Sequence, residues 1–533
     1  MVETYPALSI VPPIIAITLA IVTRKVLVSL GLGIVAAGFL LADFKPISSL
    51  ANIWYAFAAN VYDEGALNTD SLYIIIFLFF LGIITALIMM SGGSAAFSTW
   101  AATRVKGRRG AQGLALLLGI VIFIDDYFNA LAVGQIAKPV TDKYRVARAK
   151  LAYIIDSTSA PVAVLAPFSS WGASIIGLLA PVIAASAYAG SPMQAFLSAA
   201  AMNYYAISAL TLVLLVITFH INIGPMRREE ERAIQQNEPF NAADGVPGEL
   251  ADDLPVHDPG KMRALIIPFV VLVVGVVGSM MVTGGLEGGS WAVLDMFANT
   301  KVNESLIIGG TLGLIAALWC YLRVTAKSPE FHARVLGQGV LAGAKSMLPA
   351  VAILLLAWTL GTLISDLGTG DYLASLIQSA NVSVNWLIPL IFLAAGFMAF
   401  ATGTSWGSFG LLIPIAGNIM VSLDAPEHLV PAIGAVLAGA VLGDHCSPIS
   451  DTTILSSTGA GCAHIVHVST QLPYAAIGGG AALIGYMVLA LTGSGFIGLA
   501  ATLLALITFA FVANTFTTTL DTDAVPRVPA AEL

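Results

Sequence analysis

The Lys and Arg residues of this chain all fall in short breaks between apolar stretches, and each stretch is about as long as a bilayer is thick. In lipid such a stretch must satisfy its own backbone polar groups, which an α-helix does within one segment. Of 533 residues, 58% are hydrophobic and 10% charged, whereas soluble domains carry about 25% charged residues. The fold class is therefore an all-α polytopic membrane protein. A net charge of -8, with 23 basic residues scattered among loops, excludes nucleic acid as a partner and leaves the lipid bilayer. Cys320, Cys446 and Cys462 are too few for a disulfide framework, and redox chemistry is not indicated. The first five residues include Glu3 and no base, so no cleaved leader is expected.

The loop charges set an orientation through the positive-inside rule. Basic segments at 24–25, 104–109, 138–150, 227–263 and 323–345 belong in the cytoplasm. Acid-biased segments at 43–70, 287–304, 366–371 and 424–427 face outward. Crossings then fall near 7–23, 26–43, 71–91, 150–186, 196–220, 263–284, 304–323, 346–365, 428–468, 472–492 and 498–516, with the N-terminus outside and the C-terminus inside. Residues 110–137 lie between two basic segments and 385–424 between two acidic ones, so each is expected as a re-entrant hairpin. The alternative is two ordinary helices with polar patches and a broken charge rule.

About 11 crossings plus two hairpins divide into two series in the same order, starting from opposite sides of the membrane: an inverted-topology repeat. The expected units are 1–223, a first half; 224–262, a cytoplasmic linker disordered in part; 263–493, a second half; and 494–533, a last helix and tail. Residues 156–161 break one long crossing and 444–448 break the other, each with an Asp, hydroxyls and a Pro.

Residues 443–453, Gly-Asp-His-Cys-Ser-Pro-Ile-Ser-Asp-Thr-Thr, lie within apolar sequence running from 429 to 468. A carboxylate at the bilayer centre costs about 2.5 to 3.5 kcal/mol on insertion scales, so Asp444 and Asp451 need partners, ions or protons. A merely kinked helix would require only Pro448. The repeat gathers hairpin tips and helix breaks near the midplane: Asp125, Asp126, Asn129, Asp156, Ser157, Thr158 and Ser159 from one half. The other half brings Thr404, Ser405, Asp444, His445, Ser447, Ser450, Asp451, Thr452 and Thr453.

This oxygen-rich set suits a hard cation, Na+ first, rather than zinc. Adjacent carboxylates such as Asp125 and Asp126 repel unless a cation or proton neutralises them, and a site holding one or the other exclusively is the minimal chemistry of an antiporter. One of the two could instead pair with a loop base. His445 could carry a proton or simply be hydrogen-bonded in place. Cys462, His464 and His467 have a weak metal-like spacing at the end of a crossing. Gly493, Gly495 and Gly498 spell a dinucleotide fingerprint, but no strand precedes them and they lie between spans. Trp100, Trp171, Trp291 and Trp406 read as interface or packing residues.

Residues 402–414 (Thr-Gly-Thr-Ser-Trp-Gly-Ser-Phe-Gly-Leu-Leu-Ile-Pro) with 443–457 resemble the NhaC-type Na+/H+ antiporter family, as do 124–129 with 150–158. The resemblance implies the wider ion-transporter superfamily, with paired re-entrant hairpins and a transport domain moving against a dimerising scaffold, hence a homodimer. It implies Na+ and H+ as transported ions with no cofactor. Members similar in motif exchange malate and lactate, so an H+- or Na+-coupled carrier of organic acids or amino acids is the alternative. The expected function is an antiporter exchanging Na+ for H+ across the inner membrane, not an enzyme. An intramembrane aspartyl protease using Asp156 and Asp444 is a remote alternative. Residues 441–444 lack the first glycine of the Gly-x-Gly-Asp element expected there.

Overall fold

Uncharged apolar sequence forms the long helices of the computed structural model, which describes every residue except 1–3, 24, 64, 124–125, 168, 242–253, 370, 373–374, 376–382, 517–519 and 521–533. Among the described residues, eight helices are long and apolar enough to cross a membrane: Ser71–Met90, Arg263–Gly288, Val302–Thr325, Ala333–Asp366, Val384–Thr402, Pro426–Cys446, His464–Thr492 and Gly495–Thr515. A ninth is formed if Pro192–Ala201 and Tyr204–Phe219, bent by 45°, count as one. The protein is a multi-pass helical membrane protein. The sequence led to an expectation of eleven crossings, and the difference lies in short or divided elements. Val11–Thr23 and Val26–Leu41 have 13 and 16 residues. The stretch 150–186 is split into Arg148–Asp156, Ala160–Ala163 and Ser170–Ala185.

Both apolar stretches that resisted assignment as single crossings are helix–break–helix units. Gly107–Val121 packs on Asp126–Lys143, and Val384–Thr402 on Ser405–Ser422. Each is followed by a broken helix, first Arg148–Asp156 with Ala160–Ala163 and then Pro426–Cys446 with Asp451–Ala460. A helix–break–helix unit followed by a broken helix thus occurs twice along the chain.

Local chemistry explains the breaks. At the first, Thr158 Oγ1 donates to the carbonyls of Ile154 and Ile155 at 2.8 and 3.1 Å, and Ser159 Oγ donates to that of Asp156 at 3.1 Å. Hydroxyls thus occupy carbonyls at the helix end, and Pro161 sits in the first turn of the next piece. At the second, Ser447 turns extended and Pro448 has no N–H, while Ser450 caps the next helix by accepting from Thr453 N at 3.3 Å.

Each helix–break–helix unit packs directly on a broken helix's break. A Cβ at Gly119 would stand 2.0 Å from Thr158 Oγ1. At Gly403, which has a φ of 74° at the second tip, a Cβ would stand 2.6 Å from the Ile449 carbonyl oxygen. Only glycine allows that approach and that backbone. The broken helices also meet each other, because Asp451–Ala460 packs on both Arg148–Asp156 and Asp126–Lys143. In Pro426–Cys446, 89% of the spanning window is buried in protein, so its polar end is screened from lipid.

The linker expected at 224–262 opens with a helix, Gly224–Gln235. Glu230 is buried there against Arg108 at the start of the first hairpin, and its other oxygen accepts from Ala147 N at 2.9 Å. Pro46–Ala58 and Gly93–Arg104 are further helices that hydropathy did not single out. They are too polar or too short to read as spans.

Candidate ion-binding site

Asp444 is the last carboxylate before the second break, and the break is what brings hydroxyls around it. Its Oδ2 accepts from Ser405 Oγ at 2.7 Å, from the first residue of the helix Ser405–Ser422. Its Oδ1 accepts from Ser450 Oγ and from Thr452 Oγ1 at 3.3 Å. Asp451 opens the helix after the break. Its Oδ1 accepts from Thr452 N at 2.8 Å and its Oδ2 from the Tyr127 hydroxyl. Asp444 is 1% and Asp451 7% exposed, so Asp451 is the more accessible of the two.

Asp451 forms part of the floor of an open cavity of about 650 Å³, together with Tyr127, Trp358, Thr402, Gly403, Thr404 and Ile449. Asp366 and Asp371, both exposed, mark its mouth. Among the described residues, no Lys or Arg forms an ion pair with Asp156, Asp444 or Asp451.

Asp156 belongs to the same polar core but is held differently. It accepts from Gln471 Nε2 at 2.5 Å, His467 Nε2 at 3.1 Å, Thr453 Oγ1 at 3.2 Å and Ser456 Oγ at 3.2 Å. These donors come from the other half of the chain, so Asp156 joins the two broken helices. His445 Nε2 lies 3.3 Å from Ser157 Oγ and 4.0 Å from Asp156 Oδ2, and its Nδ1 lies 2.6 Å from the Tyr205 hydroxyl.

The remaining expected residues take supporting places. Asp126 accepts from Trp171 Nε1 at 2.9 Å, and that indole packs on Trp406 of the second hairpin with centroids 5.2 Å apart. Asn129 Nδ2 donates to the carbonyls of Gly119, Ile122 and Thr158, tying the first hairpin to the first break. Thr404 caps the helix Ser405–Ser422, and Ser447 Oγ donates to the Phe400 carbonyl at 2.8 Å. Asp125 lies outside the described residues. Among the described residues, no group of three or more His, Cys, Asp or Glu side chains could hold a metal. His464 instead bonds the Pro448 carbonyl at 2.7 Å.

Lys150, which sequence reasoning placed in a loop, is buried. Its ammonium is held by the Ile221 carbonyl at 3.1 Å and Asn222 Oδ1 at 2.7 Å. It sits six residues before Asp156, about 9 Å along a helix, with its charge directed to that other end. Sequence reasoning missed Gln471, Tyr127 and Trp358, and took His467 only as part of a weak metal-like spacing. His467 and Gln471 are four residues apart on one helix, hence on one face, and two such polar residues in an apolar span were a usable signal. Tyr127 and Trp358 carried none, because aromatic residues are ordinary in membrane helices.

Buried carboxylates and hydroxyls collected at paired helix breaks, within a multi-pass helical protein, define a membrane transporter. The family follows from sequence: the profile of the Na+/H+ antiporter family matches residues 162–491, and the chain belongs to that family. An uncharacterized protein of Haemophilus influenzae is 45% identical over 509 residues, covering 94% of each chain. An uncharacterized Na+/H+ antiporter of the same organism is 37% identical over 194 residues, 35% of this chain and 38% of that one. The malate-2H+/Na+-lactate antiporter of Bacillus subtilis is 35% identical over 146 residues, 26% of this chain and 29% of that one.

Proposed function

We propose that this protein exchanges Na+ for H+ across the cytoplasmic membrane, with the cation held between Asp444 and Asp451. The observation that carries this reading is the set of oxygens from Ser405, Ser450, Thr452 and the two carboxylates beside an open cavity. Hard oxygen donors suit an alkali cation, and a buried pair of carboxylates needs a cation or protons to offset its charge. Release of Na+ leaves the carboxylates to take up protons, so one site serves both ions in turn. Asp156 is not in this shell. Its acceptor capacity is occupied by the groups that join the two halves, and it positions the second break.

In this reading the cavity, lined by Asp366 and Asp371 of an acid-biased segment, opens to the external side, with the basic segments and the C-terminus in the cytoplasm. In this reading the two helix–break–helix units are re-entrant hairpins, and the repeat is inverted. The test is the internal pH of proteoliposomes on addition of Na+, K+, Li+, malate or lactate. Proton movement driven by Na+ supports the assignment. Proton movement driven only by an organic acid rejects it in favour of an organic-anion carrier.

A further inference from the structure

The cavity above Asp451 is far larger than a monatomic ion requires. Its volume of about 650 Å³ falls among small-molecule sites, which run from about 300 to 1,000 Å³. Its charged groups among the described lining residues are Asp366, Asp371 and Asp451, with no Lys, Arg or His. The side-chain amides on its wall are at least partly engaged with other acceptors of the protein. Asn60 Nδ2 donates to the Ala56 and Phe57 carbonyls and to Thr359 Oγ1, and Asn68 Nδ2 donates to the Ala59 carbonyl at 2.8 Å. A carboxylate entering here would meet three like charges and no cationic partner.

Two half-buried aromatic residues from different elements line the cavity with Asp451: Tyr127 of Asp126–Lys143, whose hydroxyl donates to that carboxylate, and Trp358 of the helix Leu348–Asp366. Aromatic rings beside a carboxylate are the surroundings that attract an organic cation, through the negative face of the ring and the anion together. We propose that this cavity binds an organic ammonium compound, a primary amine or linear diamine, whose ammonium reaches Asp451 between Tyr127 and Trp358. This rests on the cation-site reading above and extends it to a second class of substrate. Because Asp451 serves both, Na+ and the amine exclude one another. A diamine gains further from the carboxylates at the mouth, Asp366 and Asp371.

Binding to the purified full-length protein in detergent tests this, with 1,4-diaminobutane as the probe and butanedioate as an anion of matching length. The expected result is that the diamine binds, butanedioate does not, and the apparent Na+ Kd rises in proportion to diamine concentration. Trp358→Ala should weaken the diamine by about tenfold, and Trp358→Phe, which keeps a ring, should restore most of it. Diamine binding that leaves Na+ affinity unchanged overturns the shared site. Butanedioate binding overturns the ligand class. Na+ binding without diamine binding rejects this proposal and leaves the ion site standing, whereas diamine binding without Na+ binding rejects the ion reading instead. Should the Trp358 variants fail to fold, the wild-type competition decides alone.

Discussion

Replacing Asp156 by Ala should damage the fold far more than replacing Asp444, although both carboxylates are buried at a helix break. Asp156 accepts from Thr453, Ser456, His467 and Gln471, and the last two reach it from a single rigid helix face. Four lost hydrogen bonds at about 1 kcal/mol each come to about 4 kcal/mol, and buried N–H groups left without acceptors push the value upward. Asp444 is surrounded by the hydroxyls of Ser405, Ser450 and Thr452, which can rotate toward other acceptors. Its removal also relieves the burial of a charge beside Asp451, so about 1 kcal/mol is expected. The assay is unfolding in detergent, followed by tryptophan fluorescence, on both variants and the wild type. The reasoning fails if Asp156→Ala is as stable as wild type, or if Asp444→Ala proves the less stable of the two.

Transport should show the complementary pattern: Asp444→Asn and Asp451→Asn insert and fold but lose Na+-driven proton movement, since Asn remains a ligand yet cannot exchange a proton. Retained exchange in both variants would remove them from the mechanism. Arg108→Ala strands Glu230 as a buried unpaired charge and should cost about 3 to 5 kcal/mol. Adding Glu230→Gln should recover a large part of that loss, and no recovery would show that the pair is not the cause. Cysteines placed at Gly110 and Lys138, in a background without the native three, should both label from the cytoplasm if the first hairpin is re-entrant; opposite sidedness would make it a simple crossing.

Much of the architecture was legible in the sequence because lipid leaves few choices. Apolar runs gave the long helices, and the Asp, Ser and Pro residues of 156–161 and 444–448 located both breaks. The short helices escaped because Pro46–Ala58 and Gly93–Arg104 carry no membrane-length apolar run. The linker helix escaped because Glu230 and Arg108 read as surface charges until the fold pairs them across 122 positions. Composition gathered many of the oxygens that the fold brings together but could not sort them. Ser157, Thr158 and Ser159 resemble Ser450 and Thr452 as residue types, yet Thr158 and Ser159 are used on backbone carbonyls. The donors to Asp156 lie 297 to 315 positions away, beyond what local pattern can report.

The central claim is that one carboxylate pair takes Na+ and protons in turn, and Na+ titration of the purified protein between about pH 6 and 9 tests it most directly. By linkage, each proton that Na+ displaces makes apparent affinity rise by up to about tenfold per pH unit until the carboxylates are ionised without the cation. Dissociation constants that fall with rising pH and then level off are the predicted result. A dissociation constant that stays flat across the whole range would contradict a shared site.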